Sequence, residues 1–388
     1  MTQSAVVYST LKNSHDAGDD LGLKIEQIFG KTIPHVIIVF ASSSYEYESL
    51  LSALQEKCNP GILIGSSSAG EFTTSDFGTE SVCAVALYSD EMKFSAAISQ
   101  GIKQDRMRVA DELSKCLTGL EEYKYQYHSA MLFADALSGY TDELIQLLTE
   151  KTIGNYQFFG GGAGDNANFN RTHVFYGCKA YTDSAIVLEI LSDKPIGIGV
   201  AHGWKPTGIK MRVTETDGTK LISLNARPAV EVFKEHAIAM GQELDEAQPI
   251  PFFLHNILGI EIAGDFKLRV PLSINSDGSI NLASDIPKGA TVSFMTTNND
   301  CSRNAAMQAA EMAISQLKDH KPGVALFFDC VATRLRMGDE FNLHLDLINN
   351  SLNGVKYAGC NTYGQVARIN GQFSGFQNCT AVVCVIPE

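Results

Sequence analysis

The chain has 388 residues, 45% of them apolar and 19% charged, with a formal net charge of −14. These values fit a globular protein of two or three domains and exclude a disordered chain. The acidic balance, without a dense Lys or Arg run, argues against nucleic acid or an anionic membrane as the main partner.

No apolar run reaches the ~18 residues of a membrane span, and the opening MTQSAVVYST lacks a basic and then apolar leader. Nine scattered cysteines read as reduced thiols. The expectation is a cytoplasmic protein.

In chain order, a helix is expected over 17–29, followed by the apolar run HVIIVFASS (35–43), a helix over 45–57 and the short run GILIG. That strand ends in the turn GSSSAGEF, and SVCAVALY (81–88) returns as a further strand. The series then repeats. A helix candidate at 105–119 precedes SAMLFADALSG (129–139), a helix at 140–151, YQFFG, the turn FFGGGAGDN (158–166) and the strand DSAIVLEIL (183–191). It repeats again with 302–317, GVALFFDC (323–330), 340–352, YAGCNTYGQ (357–365) and TAVVCVI (380–386).

A further strand is expected before each leading helix. The exits also match, 87–103 resembling 191–205. Continuous apolar runs are strands buried on both faces, and the 3.6-residue period between them marks crossover helices. The fold class expected is α/β: repeated strand–helix–strand–Gly turn–strand modules forming mixed sheets covered by helices, in two closely packed domains.

Between the second and third modules lies a different segment, 206–290. It carries two Asp-Gly hairpin signals, VTETDGTKLI and SINSDGSINL. It also carries NARPAVEVFKEHAIAMG, with Asn225 read as the helix N-cap, Pro228 in the first turn and Gly241 as terminator. Domains of 1–205 and 206–388 follow, the second being this insert plus the third module.

The Gly turns are not phosphate loops. Such a loop needs Lys and then Ser or Thr after its last glycine, and here Glu71, Asp165 or Gln365 follows. One reading is purely structural, with the acid or amide bonding backbone amides. The other adds location, because ligands collect outside the carboxyl ends of parallel strands. Ser66, Ser67, Ser68, Gly160, Gly161 and Gly162 lie at such ends, and small polar residues with free amides suit a small polar ligand.

Cys330 and Cys360 end neighbouring parallel strands, and Cys379 enters a strand returning beside them. Packing accounts for them as buried thiols; the alternative is a metal or redox site, although their spacing matches no zinc knuckle. No Ser–His–Asp, HExxH or CxxCH pattern occurs, so no enzyme is expected.

Among the histidines, His202 precedes the one tryptophan, Trp204; His236 lies in a helix; His255 sits in PFFLHNILGI. They are hydrogen-bonded core residues, or one of them is an axial ligand in an apolar haem pocket. Arg334 and Arg336 are surface residues or partners of a ligand carboxylate.

GSSSAGEF, FFGGGAGDN, HGWKPTG, RVTETDG, NARPAVEVF, RVPLSINSDGSI, ALFFDC, GCNTYGQ and FQNCT occur in that order, and together they resemble the FIST family of bacterial sensory proteins, FIST N followed by FIST C. EILSDKPIGIGVAHGW, PFFLHNILGI and FFDCVATRLRMG look most like its haem-binding nitric oxide sensing subgroup, NosP. The resemblance implies a signal-input protein that senses nitric oxide through a b-type haem, or a small polar ligand such as an amino acid, and regulates a histidine kinase or a cyclic-di-GMP enzyme. No axial His carries over from the resemblance; His202 is the first choice for that ligand and His236 the second. Departures are Gln365 where Glu is common, Arg334 four residues after Cys330 rather than three, and Gln377–Asn378 in place of His–Asn.

Overall fold

The structure is a computed structural model describing residues 2–121, 124–262, 264–368 and 375–388. The first module runs β1 (Thr2–Ser9), α1 (Ser14–Phe29), β2 (Val36–Ser42), α2 (Tyr47–Cys58), β3 (Ile62–Ser68), β4 (Glu71–Thr73), β5 (Phe77–Gly78) and β6 (Val82–Ser89). Helix α1 starts earlier than expected because the Asn13 side chain accepts the Asp16 N–H, satisfying an end donor. Ala17, Leu21, Ile25 and Phe29 then face the core at four-residue steps.

The second module repeats the order as β7 (Met92–Gln100), α3 (Arg106–Ser114), β8 (Tyr127–Ala134), α4 (Thr141–Lys151), β9 (Gln157–Gly162), β10 (Val174–Tyr176), β11 (Lys179–Tyr181) and β12 (Ser184–Ser192). Helix α3 ends at Ser114, short of the expected 119.

The third module opens with β13 (Gly197–Ala201) and is then interrupted. The insert comprises β14 (Lys205–Asp217), β15 (Lys220–Leu224), β16 (Arg227–Pro228), α5 (Ala229–Ala239), α6 (Ile250–Phe253), β17 (Ile257–Ile262), β18 (Asp265–Arg269), β19 (Pro271–Ile274), β20 (Ile280–Leu282) and β21 (Thr291–Thr296). The module resumes with α7 (Asn299–Gln316), β22 (Pro322–Cys330), α8 (Val331–Met337), α9 (Phe341–Ser351), β23 (Tyr357–Thr362), β24 (Gln365–Arg368), β25 (Phe376–Gln377) and β26 (Ala381–Pro387).

Three sheets share one plan: β1-β6-β2-β3-β10, β7-β12-β8-β9-β24 and β13-β26-β22-β23-β4. In each, the central pair is parallel (β2/β3, β8/β9, β22/β23) and the return strand is antiparallel to its first member. The fifth strand always comes from another module. After its Gly turn the chain leaves its own sheet, so β4 of the first module joins the third, β24 of the third joins the second, and β10 of the second joins the first. This cyclic exchange closes the three modules into a ring.

The inner faces of the sheets share one core. At its centre Phe40, Phe133 and Phe328, from equivalent positions of β2, β8 and β22, meet edge to face at centroid distances of 5.6, 5.7 and 5.8 Å. The outer faces are covered by the helices of each module.

Two expectations are corrected. The strand preceding the third leading helix in sequence, β21, belongs to the insert's sheet, and β13 takes its place in the third module. β13 lies so close to α7 that a Cβ on Gly197 or Gly199 would stand 1.9 or 1.8 Å from the Ala313 or Ala309 carbonyl oxygen. Asn225 is not the cap of α5; it sits at φ +50° in a turn, and its side chain accepts the Arg212 N–H at 2.8 Å. Both Asp-Gly hairpins form, joining β14 to β15 and β19 to β20. The insert closes its own core around Phe233, Phe253 and Phe294.

Candidate functional site

The three Gly turns converge. Gly164 N–H donates to the Ser67 carbonyl at 2.9 Å, Tyr363 N–H to Gly162 at 3.0 Å, and Asn361 N–H to Gly70 at 2.8 Å, so each turn bonds the next around the ring. The glycine opposite each parallel neighbour is required by proximity. A Cβ on Gly65, Gly160 or Gly359 would lie 1.9, 2.2 or 1.9 Å from the facing carbonyl oxygen. Ser66 and Cys360 face Phe40 and Phe328, whereas Gly161 rather than Gly160 faces Phe133; the second turn is one residue shorter.

The residue after each turn ties down the return segment. Glu71 accepts from Ser68 Oγ at 2.5 Å, Ser81 Oγ at 2.7 Å and Ser81 N–H at 3.3 Å. Burial pushes its carboxyl up to about 7, with those hydrogen bonds and Arg334 opposing the rise. Asp165 accepts the N–H groups of Phe169, Asn170 and Arg171 at 2.7–2.9 Å and the Tyr363 hydroxyl. Gln365 accepts from Thr380 N–H at 3.2 Å and donates to Thr362 Oγ1 at 2.9 Å.

Ser67 Oγ is satisfied by His173, while Ser66 Oγ is buried with no hydrogen-bond partner among the described residues. A second group of unsatisfied atoms lies on the helix-facing side of β22 and β23. Among the described residues, both side-chain polar atoms of fully buried Asn361 lack hydrogen bonds, as do Arg334 Nε, Asp329 Oδ2 and both His344 ring nitrogens. Burial holds the Arg334 guanidinium below its ordinary value. Beside Asn361 in register is Asp329, whose Oδ2 lies 3.0 Å from His344 Nε2 in a fully buried pair.

A cavity of about 840 Å³ opens beside the ring. Its walls are the Ala136–Glu143 segment after β8, Asp217–Thr219 and Leu282–Asp285 of the insert, and Cys330–Ala332, Tyr363, Gly364 and Asn378 of the third module. Asp142, at the start of α4, pairs with Lys267 and with buried Arg269 at 3.5 Å, fastening the insert to the second module. Asn378 Oδ1 accepts from Ser284 Oγ at 3.2 Å, fastening the insert to the third. The cavity combines an apolar wall (Leu137, Val270, Leu272) with polar tips, the composition of a small-molecule site.

Of the residues singled out from sequence, Cys330 alone lines this cavity. Cys379 packs against it. Hydrogen bonds from the Cys379 thiol and from the Ala332 and Cys379 N–H groups bring Cys330 down to about 7, against the effect of burial. Cys360 is elsewhere: paired with Phe328, it faces the central core, where burial and nearby Cys83 and Glu71 raise its thiol. The three thiols expected together are therefore split by two residues of strand register. Among the described residues no group of three His, Cys, Asp or Glu side chains is arranged to hold a metal.

The histidines do not face one pocket. His236 stacks on Phe294 at 3.8 Å and 4°, its Nε2 is 3.1 Å from Asn256 Oδ1, and burial lowers its pKa. His202 accepts the Trp204 N–H at Nδ1 and has Asp265 3.5 Å from Nε2. His255 is exposed. In this arrangement they do not fit an axial ligand, which needs a ring nitrogen aimed into an apolar slot. Arg336 donates to Asn299 Oδ1 at 2.8 Å and Ser302 Oγ at 2.5 Å, and its guanidinium lies 5.9 Å from the Trp204 ring centre.

The cavity residues Tyr140, Asp142 and Asp285 were missed from sequence, and Asn378 was named only as a departure from the family's last motif. The available signal was position: Ala136–Glu143 follows the carboxyl end of a central parallel strand, where ligands collect.

Three exchanged α/β modules, an antiparallel insert and a cavity where they meet define a ligand-binding α/β domain pair. Residues 35–227 match the FIST N domain and residues 229–368 the FIST C domain. The chain belongs to the FIST family, whose domains are small-ligand sensors in signal transduction.

An uncharacterised protein of Methanocaldococcus jannaschii is 23% identical over 241 residues, which cover 59% of this chain. The chain thus spans about half of that relative, 45% of its length. Among solved structures, cyanuric acid hydrolase from A. caulinodans aligns over 100% of both chains at 9% identity and a TM-score of 0.33. T. maritima PurL complexed with FGAR aligns over 99% of this chain and 72% of its own at 10% identity and 0.23. Among the described residues no helix is long and apolar enough to cross a membrane.

Proposed function

We propose that this chain is a signal-input protein that binds a small polar ligand, such as an amino acid, in the cavity beside the turn ring and passes its occupancy by contact to a histidine kinase or a cyclic-di-GMP enzyme. The observation carrying this reading is that the cavity's walls come from both FIST domains and from three separate parts of the fold. A ligand touching all three acts on the packing between them, and a sensor needs such differential contact. Its non-enzymatic character follows from the same reading.

A thermal-shift panel of amino acids and small carboxylic acids tests the proposal. At least one compound is expected to raise Tm in the native chain, and Ala283→Trp, which fills the cavity from the insert, should abolish that shift while leaving the unliganded Tm within a few degrees. A shift unchanged in Ala283→Trp places binding elsewhere and sinks the cavity reading.

Nitric oxide sensing through a b-type haem is a separate proposal. It requires His202 or His236 to leave the contacts described above, or exposed His255 to be covered by an apolar slot. A Soret band after haem reconstitution, shifting with nitric oxide and lost in His202→Ala, would favour it; no band after reconstitution would reject it.

A further inference from the structure

We propose that Cys330 and Cys379 are a peroxide-reactive dithiol that closes to an intramolecular disulfide, a redox clamp between the end of β22 and the strand β26.

The second module shows what this position is for. Phe328 of β22 and Phe133 of β8 are equivalent, which makes Cys330 the counterpart of Asp135. The return strands are paired at the same offset, Val382 to Phe328 and Ile186 to Phe133, which makes Cys379 the counterpart of Asp183. Both counterparts share a left-handed backbone, φ +49° at Cys379 and +48° at Asp183.

In the second module the Asp135 carboxylate accepts the N–H of Leu137 at 3.1 Å and the N–H of Asp183 at 2.6 Å. In the third module the Cys330 sulfur accepts the N–H groups of the corresponding residues, Ala332 and Cys379. The backbone therefore offers Cys330 the pair of donors that in the second module the Asp135 side chain accepts, and N–H donors aimed at a sulfur stabilise thiolate. The guanidinium of Arg336 adds a positive charge beside Cys379.

Two further features complete a reaction site. Cys330 lines the cavity, which gives a small oxidant a route to the sulfur. Cys379 supplies a second thiol packed in the same buried cluster as the first.

The chemistry needs a hydroperoxide as oxidant. Cys330 thiolate attacks a peroxide oxygen, the O–O bond breaks, and with hydrogen peroxide the leaving hydroxide takes a proton to become water. The resulting Cys330 sulfenic acid is then attacked by the Cys379 sulfur. The S–S bond forms as the S–O bond breaks, and the sulfenic oxygen departs as a second water, having taken the Cys379 proton. Both sulfurs are oxidised together by two electrons and the peroxide is reduced.

The clamp acts on the ligand site, because Asn378, next to Cys379, lines the cavity and holds Ser284 of the insert. It does not depend on which ligand the cavity takes.

The test is thiol counting and non-reducing peptide mapping on the reduced full chain, before and after stoichiometric hydrogen peroxide. The native chain is expected to lose two of its nine thiols to a Cys330–Cys379 cross-link that dithiothreitol reverses. Cys379→Ser should stop at a sulfenic acid on Cys330 that dimedone captures. Cys330→Asp, which restores the residue of the second module, should stay folded and form no cross-link. Retention of all nine thiols, a cross-link through other cysteines, or a Cys379→Ser protein without a Cys330 adduct overturns the proposal. None of these outcomes bears on the cavity reading, which is measured on the reduced protein.

Discussion

At the carboxyl ends of the parallel strands, Ala41 stands beside Ser67 in the first module and Ala134 beside Gly162 in the second, whereas the third places Asp329 beside Asn361. On the other face the strand-end residues are Ser42, Asp135 and Cys330. The first two bond the chain that leads into their return strands, Ser42 Oγ to the Thr79 carbonyl at 3.0 Å and Asp135 to Asp183 N–H, and the third meets a thiol. At these positions the first two modules thus carry small or satisfied groups. The third carries the unsatisfied amide, the buried acid–histidine pair and the dithiol, and it shares the cavity wall with the second module. A scaffold present three times needs polar groups at its ends only for closure, and the third copy carries more of them than closure requires.

The comparison is broken most severely at the feature all modules share. Gly359→Ala puts a methyl group against the Phe327 carbonyl and should cost more than about 4 kcal/mol; Gly65→Ala should do the same in the first module. Urea unfolding of both variants checks this, and tolerance in one module alone would show that the copies are not equivalent.

The next effect belongs to the third module. His344→Leu removes the polar group 3.0 Å from buried Asp329 Oδ2 and should cost up to about 3 kcal/mol. The double variant Asp329→Ala/His344→Leu, which copies the Ala41 and Ala134 arrangement, should regain most of that loss in the same unfolding assay.

A third effect depends on pH. The Glu71 carboxyl is raised from 4.5 to about 7 by burial, so across that window the folded chain keeps a proton the unfolded chain has released. Stability contributed this way is present below the unfolded value and is lost as pH rises toward about 7, a total of about 3 kcal/mol. Glu71→Gln keeps an uncharged side chain and should lose less stability than the native chain between about pH 5 and about pH 8. Parallel pH–stability curves would contradict this.

The smallest expected effect is Cys330→Asp in reduced protein. It exchanges one acceptor of the two N–H groups for another and should shift stability by about 1 kcal/mol or less, read as Tm.

Much of this architecture is legible in the residues. Runs such as HVIIVFASS and GVALFFDC are apolar throughout because their strands are covered on both faces, and the 3.6-residue period marks the helices over them. Less legible is the strand exchange. Nothing local in Glu71–Thr73 states that it pairs with Ala358–Cys360 rather than with its own sheet, because hydrogen bonding between backbones carries no residue code. β13 was misplaced for a related reason: the insert separates it from the helix it packs on, although the match of 191–205 to 87–103 already carried the correct assignment.

At the site, the nearness of Cys379 to Cys330 was anticipated from the returning strand. The separation of Cys360 was not, since it depends on register within one strand pair. The cavity was invisible because its walls come from segments far apart in the chain.

Hydrogen–deuterium exchange of the reduced full chain, with and without a compound that raises Tm, tests the central claim most directly. Ligand in the cavity should protect 136–143, 282–285 and 376–378 together. Protection confined to the Ser66–Ser68 turn, or to the segments around His202 and His236, would contradict it.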